Sequence, residues 1–289
     1  MNKRFFNALH VGRIDLWVTN LKRSADFYEN ALGLTVKKHA GDSIEYTANG
    51  KDVLLAIHET ERTLSENTFG LYHVAFLVPN RKALGRFLRH LITEKIAIGG
   101  AADHYYSEAI YLRDPDGNGI EIARDKYNIE WNDEFGHLKT TTDEFDYQGV
   151  FYAAGSGNAS YNMPKETTIG HLHLHGNHVD KQHMLYEQIL GFERHFDETI
   201  NAMFFSKSMY HHHIAINDWL NKRSPDKNKQ NGLRSFTLRT NLLDEIEMIL
   251  DKLNNHNIPY EEQNGFYMIG DADQNTIRLE LCPDETPLI

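Results

Sequence analysis

Leu21 to Gly33 reads LKRSADFYENALG, and Val179 to Gly191 reads VDKQHMLYEQILG. Aligned without a gap, the two share Tyr28 with Tyr186, Glu29 with Glu187, Leu32 with Leu190 and Gly33 with Gly191. Apolar or aromatic residues at 21, 25, 28 and 32 recur at helical spacing, which predicts an amphipathic helix with that stripe inward. Gly33 and Gly191 stand where a left-handed residue ends a helix. A second pair repeats as well. Gly70-Leu71-Tyr72-His73-Val74-Ala75-Phe76 matches Gly232-Leu233-Arg234-Ser235-Phe236-Thr237-Leu238. Another amphipathic pattern follows each, through Leu84, Leu88 and Leu91 in the first and Leu243, Ile246, Leu250 and Leu253 in the second. Then come the turn signals Asp114-Pro115-Asp116-Gly117-Asn118 and Asp271-Ala272-Asp273-Gln274-Asn275.

Self-similarity at this scale decides the fold before any single motif does. The chain reads as four copies of strand, helix and three short strands, beginning near Val11, Gly70, Ile169 and Gly232. An isolated βαβββ unit leaves sheet edges and one face uncovered, so the copies must pair. The expected class is α+β, with four βαβββ modules in two domains, residues 1–127 and 169–289. The polar stretch 128–168, with Gly155-Ser156-Gly157-Asn158, reads as a connector. Trp131, Phe135, Phe145 and Tyr147 predict that it packs on the body.

A length of 289 residues suits two domains at about 150 residues each. The formal charge of −11 repels phosphate backbones, which argues against nucleic acid as a partner. No apolar run approaches the roughly 20 residues of a membrane helix, so no membrane partner is expected. Met1-Asn2-Lys3-Arg4-Phe5-Phe6 carries no signal-peptide pattern. The single Cys282 cannot form an internal disulfide, which fits a cytoplasmic location and excludes a cysteine-based zinc site. The 17 histidines are unusual, and His171, His173 and His175 would share one strand face at period two.

GLYHVAFLV, YLRDPDGNGIEI and IGHLHLH, set on four βαβββ units, resemble the vicinal oxygen chelate (glyoxalase/bleomycin resistance/dioxygenase) superfamily. More narrowly they resemble its two-domain extradiol ring-cleaving dioxygenases of the catechol 2,3-dioxygenase type. The resemblance implies curved mixed sheets around a metal-binding cavity, with Fe(II) or Mn(II) held by His73, His171 and Glu121. Two histidines and a carboxylate leave open positions for an aromatic diol and O2, the implied substrates. It also implies an acid–base histidine in Tyr210-His211-His212-His213-Ile214-Ala215, with His212 favoured and His213 next. The resemblance puts that stretch on a late strand, where adjacent residues point to alternate faces, so at most His211 and His213 act together. Tyr111, ten residues before Glu121, matches a tyrosine that orients a substrate oxygen, and His104 roughly matches another family histidine.

Ligand positions dictate how the modules pair. In chain order, Arg13 would fill the place of His171 in the first half. In the second half, Ser235 would replace His73 and Arg278 would replace Glu121. A complete triad requires the second and third modules to share one site, with the first and fourth forming a metal-free one. Within the superfamily, a glyoxalase-type isomerase or a thiol or fosfomycin transferase is the rival reading, but it wants a further carboxylate where YHHHIAIN has none. A metal-free aromatic-binding protein is the third. Homo-oligomerisation is compatible with each.

Overall fold

The computed structural model describes residues 8–64, 68–131, 141–156, 160–176, 179–220, 229–230 and 232–282. The first module runs β1 (His10–Val18), α1 (Leu21–Asp26), β2 (Thr35–Ala40), β3 (Ser43–Thr47) and β4 (Leu55–Glu59), followed by the short β5 (Thr63–Leu64). The second is β6 (Gly70–Leu77), α2 (Arg81–Thr93), β7 (Gly100–Asp103), β8 (Ser107–Arg113) and β9 (Gly119–Asp125). After α3 (Tyr147–Ala153) come β10 (Thr168–His175), α4 (Val179–His183), β11 (Glu193–Asp197), β12 (Ala202–Ser206) and β13 (Ile214–Asn217). The short β14 (Lys229–Gln230) precedes β15 (Leu233–Thr240), α5 (Leu243–Asn255), β16 (Tyr260–Gln263), β17 (Phe266–Gly270) and β18 (Thr276–Leu281).

Each module thus has the expected order; β5 and β14 pair separately in parallel, and among the described residues the module strands form two eight-stranded mixed sheets. Their orders are β16-β17-β18-β15-β1-β4-β3-β2 and β11-β12-β13-β10-β6-β9-β8-β7. The second and third modules supply one sheet, and the first and fourth the other, as the ligand positions required. By compactness the chain divides into one unit of Val18–Thr60 with His73–Gly170 and another of Lys3–Trp17, Glu61–Tyr72 and His171–Ile289.

In the first unit, Asn20 and Asn80 cap α1 and α2 by accepting the backbone N–H of Arg23 and Ala83. The helix begun by α1 widens into a π-turn over Phe27–Ala31, where the Leu32 N–H reaches back to the Phe27 carbonyl. Gly33 then ends it at φ +69°. The repeated tyrosine now has a physical reason. Tyr28 is fully buried and donates its O–H to Asp114 Oδ2 at 2.7 Å, tying the first module's helix to the second module's turn. Asp114 also accepts the backbone N–H groups of Asp116 and Asn118 and the Asn118 side-chain amide. Gly117 completes the turn at φ +87°. In the connector, Trp131 and Phe145 are buried as expected, while Tyr147 is exposed and Phe135 lies outside the described residues. A Cβ at Gly85 of α2 would lie 2.2 Å from the Val150 carbonyl oxygen, so only glycine lets α3 approach this closely.

The second unit repeats the device. A π-turn over Met184–Ile189 follows α4, and Gly191 stops it at φ +72°. Tyr186 donates to Asp271 Oδ2 at 3.1 Å. Gln274 sits where Gly117 does in the first copy and is forced to φ +64°. The stripe of α5 is shifted from the sequence expectation: Ile246, Ile249 and Leu253 are buried, whereas Leu243 at the helix start is exposed. On β1, β15 and β18 one face is apolar core, with Ile14, Leu16, Phe236, Leu238, Ile277 and Leu279 all fully buried.

Candidate metal centre

β6 and β9 run parallel, with His73 opposite Gly119 and Ala75 opposite Glu121. That register carries both side chains to one face, and His73 Nε2 lies 3.0 Å from Glu121 Oε2. His171 projects from β10, and His73, Glu121 and His171 are all buried. Each offers one ligand atom, and these atoms all lie within 4.8 Å of one another. Two imidazole nitrogens and one carboxylate oxygen, desolvated and gathered from three strands, form a donor set that fits a divalent transition-metal ion.

Tyr111 on β8 stands directly opposite Glu121 in the antiparallel ladder, its ring centroid 5.7 Å from that of His73. The Tyr111 hydroxyl is 2.6 Å from His104 Nε2, and His104 Nδ1 is 3.0 Å from the Thr141 carbonyl oxygen. A carbonyl only accepts, so Nδ1 carries a proton, and in the neutral imidazole Nε2 then accepts from the phenol. Two residues singled out separately in the sequence therefore form one hydrogen-bonded pair.

The three consecutive histidines precede β13 rather than lying within it, so strand alternation does not govern them. His212 packs against His171 with ring centroids 4.3 Å apart, and the Phe204 ring meets it edge-on at 5.1 Å. Its Nδ1 is 3.0 Å from His211 Nδ1, so neighbours that alternation would have separated meet. His213 packs instead on Tyr210 and Phe192 and accepts the Lys207 backbone N–H. Burial, reinforced by the nearby His10, holds its imidazole well below the usual range.

Sequence reasoning missed Asn217. The Trp219 backbone N–H donates to its Oδ1, which fixes the amide's orientation. Its Oδ1 then accepts from His175 Nδ1 at 2.7 Å, and its Nδ2 donates to His173 Nε2 at 2.8 Å. The face shared by His171, His173 and His175 is thus divided, with the latter two locked in a polar chain beside Tyr72 and Trp219. No pattern in the sequence marks an asparagine at a strand end for that role.

Among known proteins, the glyoxalase/bleomycin resistance protein/dioxygenase superfamily model matches residues 10–122. A catechol-2,3-dioxygenase of Bacillus subtilis (strain 168) is 35% identical over 268 residues, covering 91% of this chain and 93% of the relative. Among solved structures, a Bacillus subtilis protein provisionally assigned as a dioxygenase superposes with TM-score 0.64 at 16% identity, over 96% of this chain and 86% of that one. Glyoxalase I of Zea mays superposes with TM-score 0.57 at 11% identity, over 94% and 92% of the two chains. Both structural likenesses speak for the fold alone. With the repeated modules and the matching relative together, the chain belongs to the glyoxalase/bleomycin resistance protein/dioxygenase superfamily.

Proposed function

We propose that the chain is an extradiol ring-cleaving dioxygenase that inserts both atoms of O2 into a catechol or hydroquinone, with His73, His171 and Glu121 holding the catalytic metal. The observation that carries this reading is the gathering of those three ligand atoms within 4.8 Å, in a chain 35% identical to a catechol-2,3-dioxygenase. Two histidines with one carboxylate suit Fe(II), with Mn(II) the alternative. When bound, the ion supplies open coordination positions for the diol oxygens and for O2, and a path for electrons between them.

The protein's own groups manage protons and orientation. His212, packed on His171 and flanked by Phe204, is the base that takes a proton from the diol and later returns it. Tyr111 orients a substrate oxygen: it donates its own proton to His104, and its oxygen accepts from a substrate hydroxyl. His104, with Nδ1 anchored on the Thr141 carbonyl, keeps that phenol in place. The lone Cys282 supports a reducing, cytoplasmic setting. Among the described residues, no helix is long and apolar enough to cross a membrane.

The test is anaerobic reconstitution with Fe(II), followed by O2 uptake and a new ultraviolet–visible product band on a panel of catechols and hydroquinones. The reading requires O2 consumed in step with product. Full iron loading with no uptake across the panel refutes it, and turnover of a thiohemiacetal under nickel or zinc would replace it with isomerisation.

A further inference from the structure

In the sheet built from the first and fourth modules, Arg13, Ser235 and Arg278 occupy the places that His171, His73 and Glu121 hold in the other. The register makes this concrete. Arg13 on β1 lies opposite Thr237 on β15, and Thr237 lies opposite Arg278 on β18, so the three stand in one row on one face. Asp15 and Ser235 form the next row. Where one sheet gathers two imidazoles and a carboxylate, these rows present two guanidinium groups, two hydroxyls and the Asp15 carboxylate.

Their partners are unevenly shared. Arg13 closes its fork on Asp15 with two bonds of 2.8 Å. Arg239 pairs with Glu280 at 2.7 Å. Arg278 is left with Nη1 4.0 Å from the same Asp15 and with its guanidinium 3.9 Å over the Phe266 ring. Arg278 Nε and Thr237 Oγ1, side by side in the row, are both buried without a hydrogen-bond partner among the described residues. Such unmet donors are rare in native interiors. Across this row and its two neighbours the guanidinium groups are Arg13, Arg239 and Arg278 and the carboxylates Asp15 and Glu280, and Arg278 is the guanidinium whose Nε bonds neither.

We propose that this row is an anion subsite that takes a carboxylate, bound by Arg278 through Nε and Nη2 and by the Thr237 hydroxyl. A carboxylate fits because the side-on fork of a guanidinium matches two oxygens in one plane. Asp15 already serves Arg13 in that manner. The Arg278 side chain is 22% exposed, and the ligand reaches Nε as that side chain lifts from Phe266.

Benzoate is titrated into the full chain at low chloride, followed by calorimetry and by the arginine Nε–H signals in NMR. Inorganic phosphate serves as comparator. The wild type binds benzoate saturably and more tightly than phosphate, with the Arg278 Nε–H resonance moving downfield. Arg278→Met weakens binding at least tenfold, and Thr237→Val weakens it about threefold. Arg278→Lys, which keeps the charge but loses the fork, falls between wild type and Arg278→Met. An unmoved Arg278 signal, or equal binding by wild type and Arg278→Lys, overturns the proposal. Tighter binding of phosphate overturns the choice of carboxylate. None of these readouts depends on metal loading or ring cleavage.

Discussion

Replacing Tyr28 by phenylalanine removes a single oxygen from a fully buried ring and leaves the packing volume nearly intact. What it deletes is one of four hydrogen bonds to the Asp114 carboxyl group, the 2.7 Å contact that joins the π-turn after α1 to a turn 86 residues later. A bond to a charged acceptor contributes about 1.5–3 kcal/mol, and burial leaves no water to replace it. Loss of about 2 kcal/mol is therefore expected. With a urea m value of about 2–3 kcal/mol/M, the unfolding midpoint followed by tryptophan fluorescence should fall by roughly 1 M. A double-mutant cycle with Asp114→Ala should return most of that energy as coupling. Because the turn joins β8, which carries Tyr111, to β9, which carries Glu121, metal affinity should weaken as well. An unchanged midpoint, or strictly additive single effects, would refute the tie as a stabilising element.

Four further outcomes follow from the same geometry. His212→Ala should keep the metal, measured by atomic absorption, while turnover falls by about 10²–10⁴; loss of the metal would make it a ligand instead of a base. Tyr111→Phe and His104→Asn should each slow kcat, and the double variant should be little worse than either, since the two act as one pair. Gln274→Gly should raise thermal stability by about 0.5–1 kcal/mol, because glycine adopts φ +64° without strain. Burial pushes Asp271 up to about 6 against an ordinary 3.8. Its neutral form thus stabilises the fold below about pH 4, a contribution of about 3 kcal/mol lost as pH rises through 6. Urea midpoints across pH 4–7 should show that decline, and Asp271→Asn should flatten it.

Strand starts, the turn and the module count were legible because period two, period 3.6 and the Asp-Pro-Asp-Gly signal are local and strong. The gathering of His73, His171 and Glu121 was legible because each sits at a fixed offset inside a repeated motif, and cross-pairing followed from which modules carried them. The π-turns at Phe27–Ala31 and Met184–Ile189 were not, since one extra residue in a helical turn leaves the apolar spacing almost unchanged. The meeting of His211 with His212 was missed because the chain there is irregular until Ile214, so alternation was the wrong rule. The Asn217 chain depends on a backbone N–H two residues on and on partners more than forty residues away, which no local pattern encodes.

The paired ties, Tyr28 to Asp114 and Tyr186 to Asp271, bear on heredity. Each fastens one module to its immediate successor, while the two sheets join the second module to the third and the first to the fourth, so every module is bound to one neighbour by a buried hydrogen bond and to another by strand pairing. A gene break between two modules so tied leaves the buried phenol without its acceptor, while the carboxylate on the other fragment keeps the donors of its own turn.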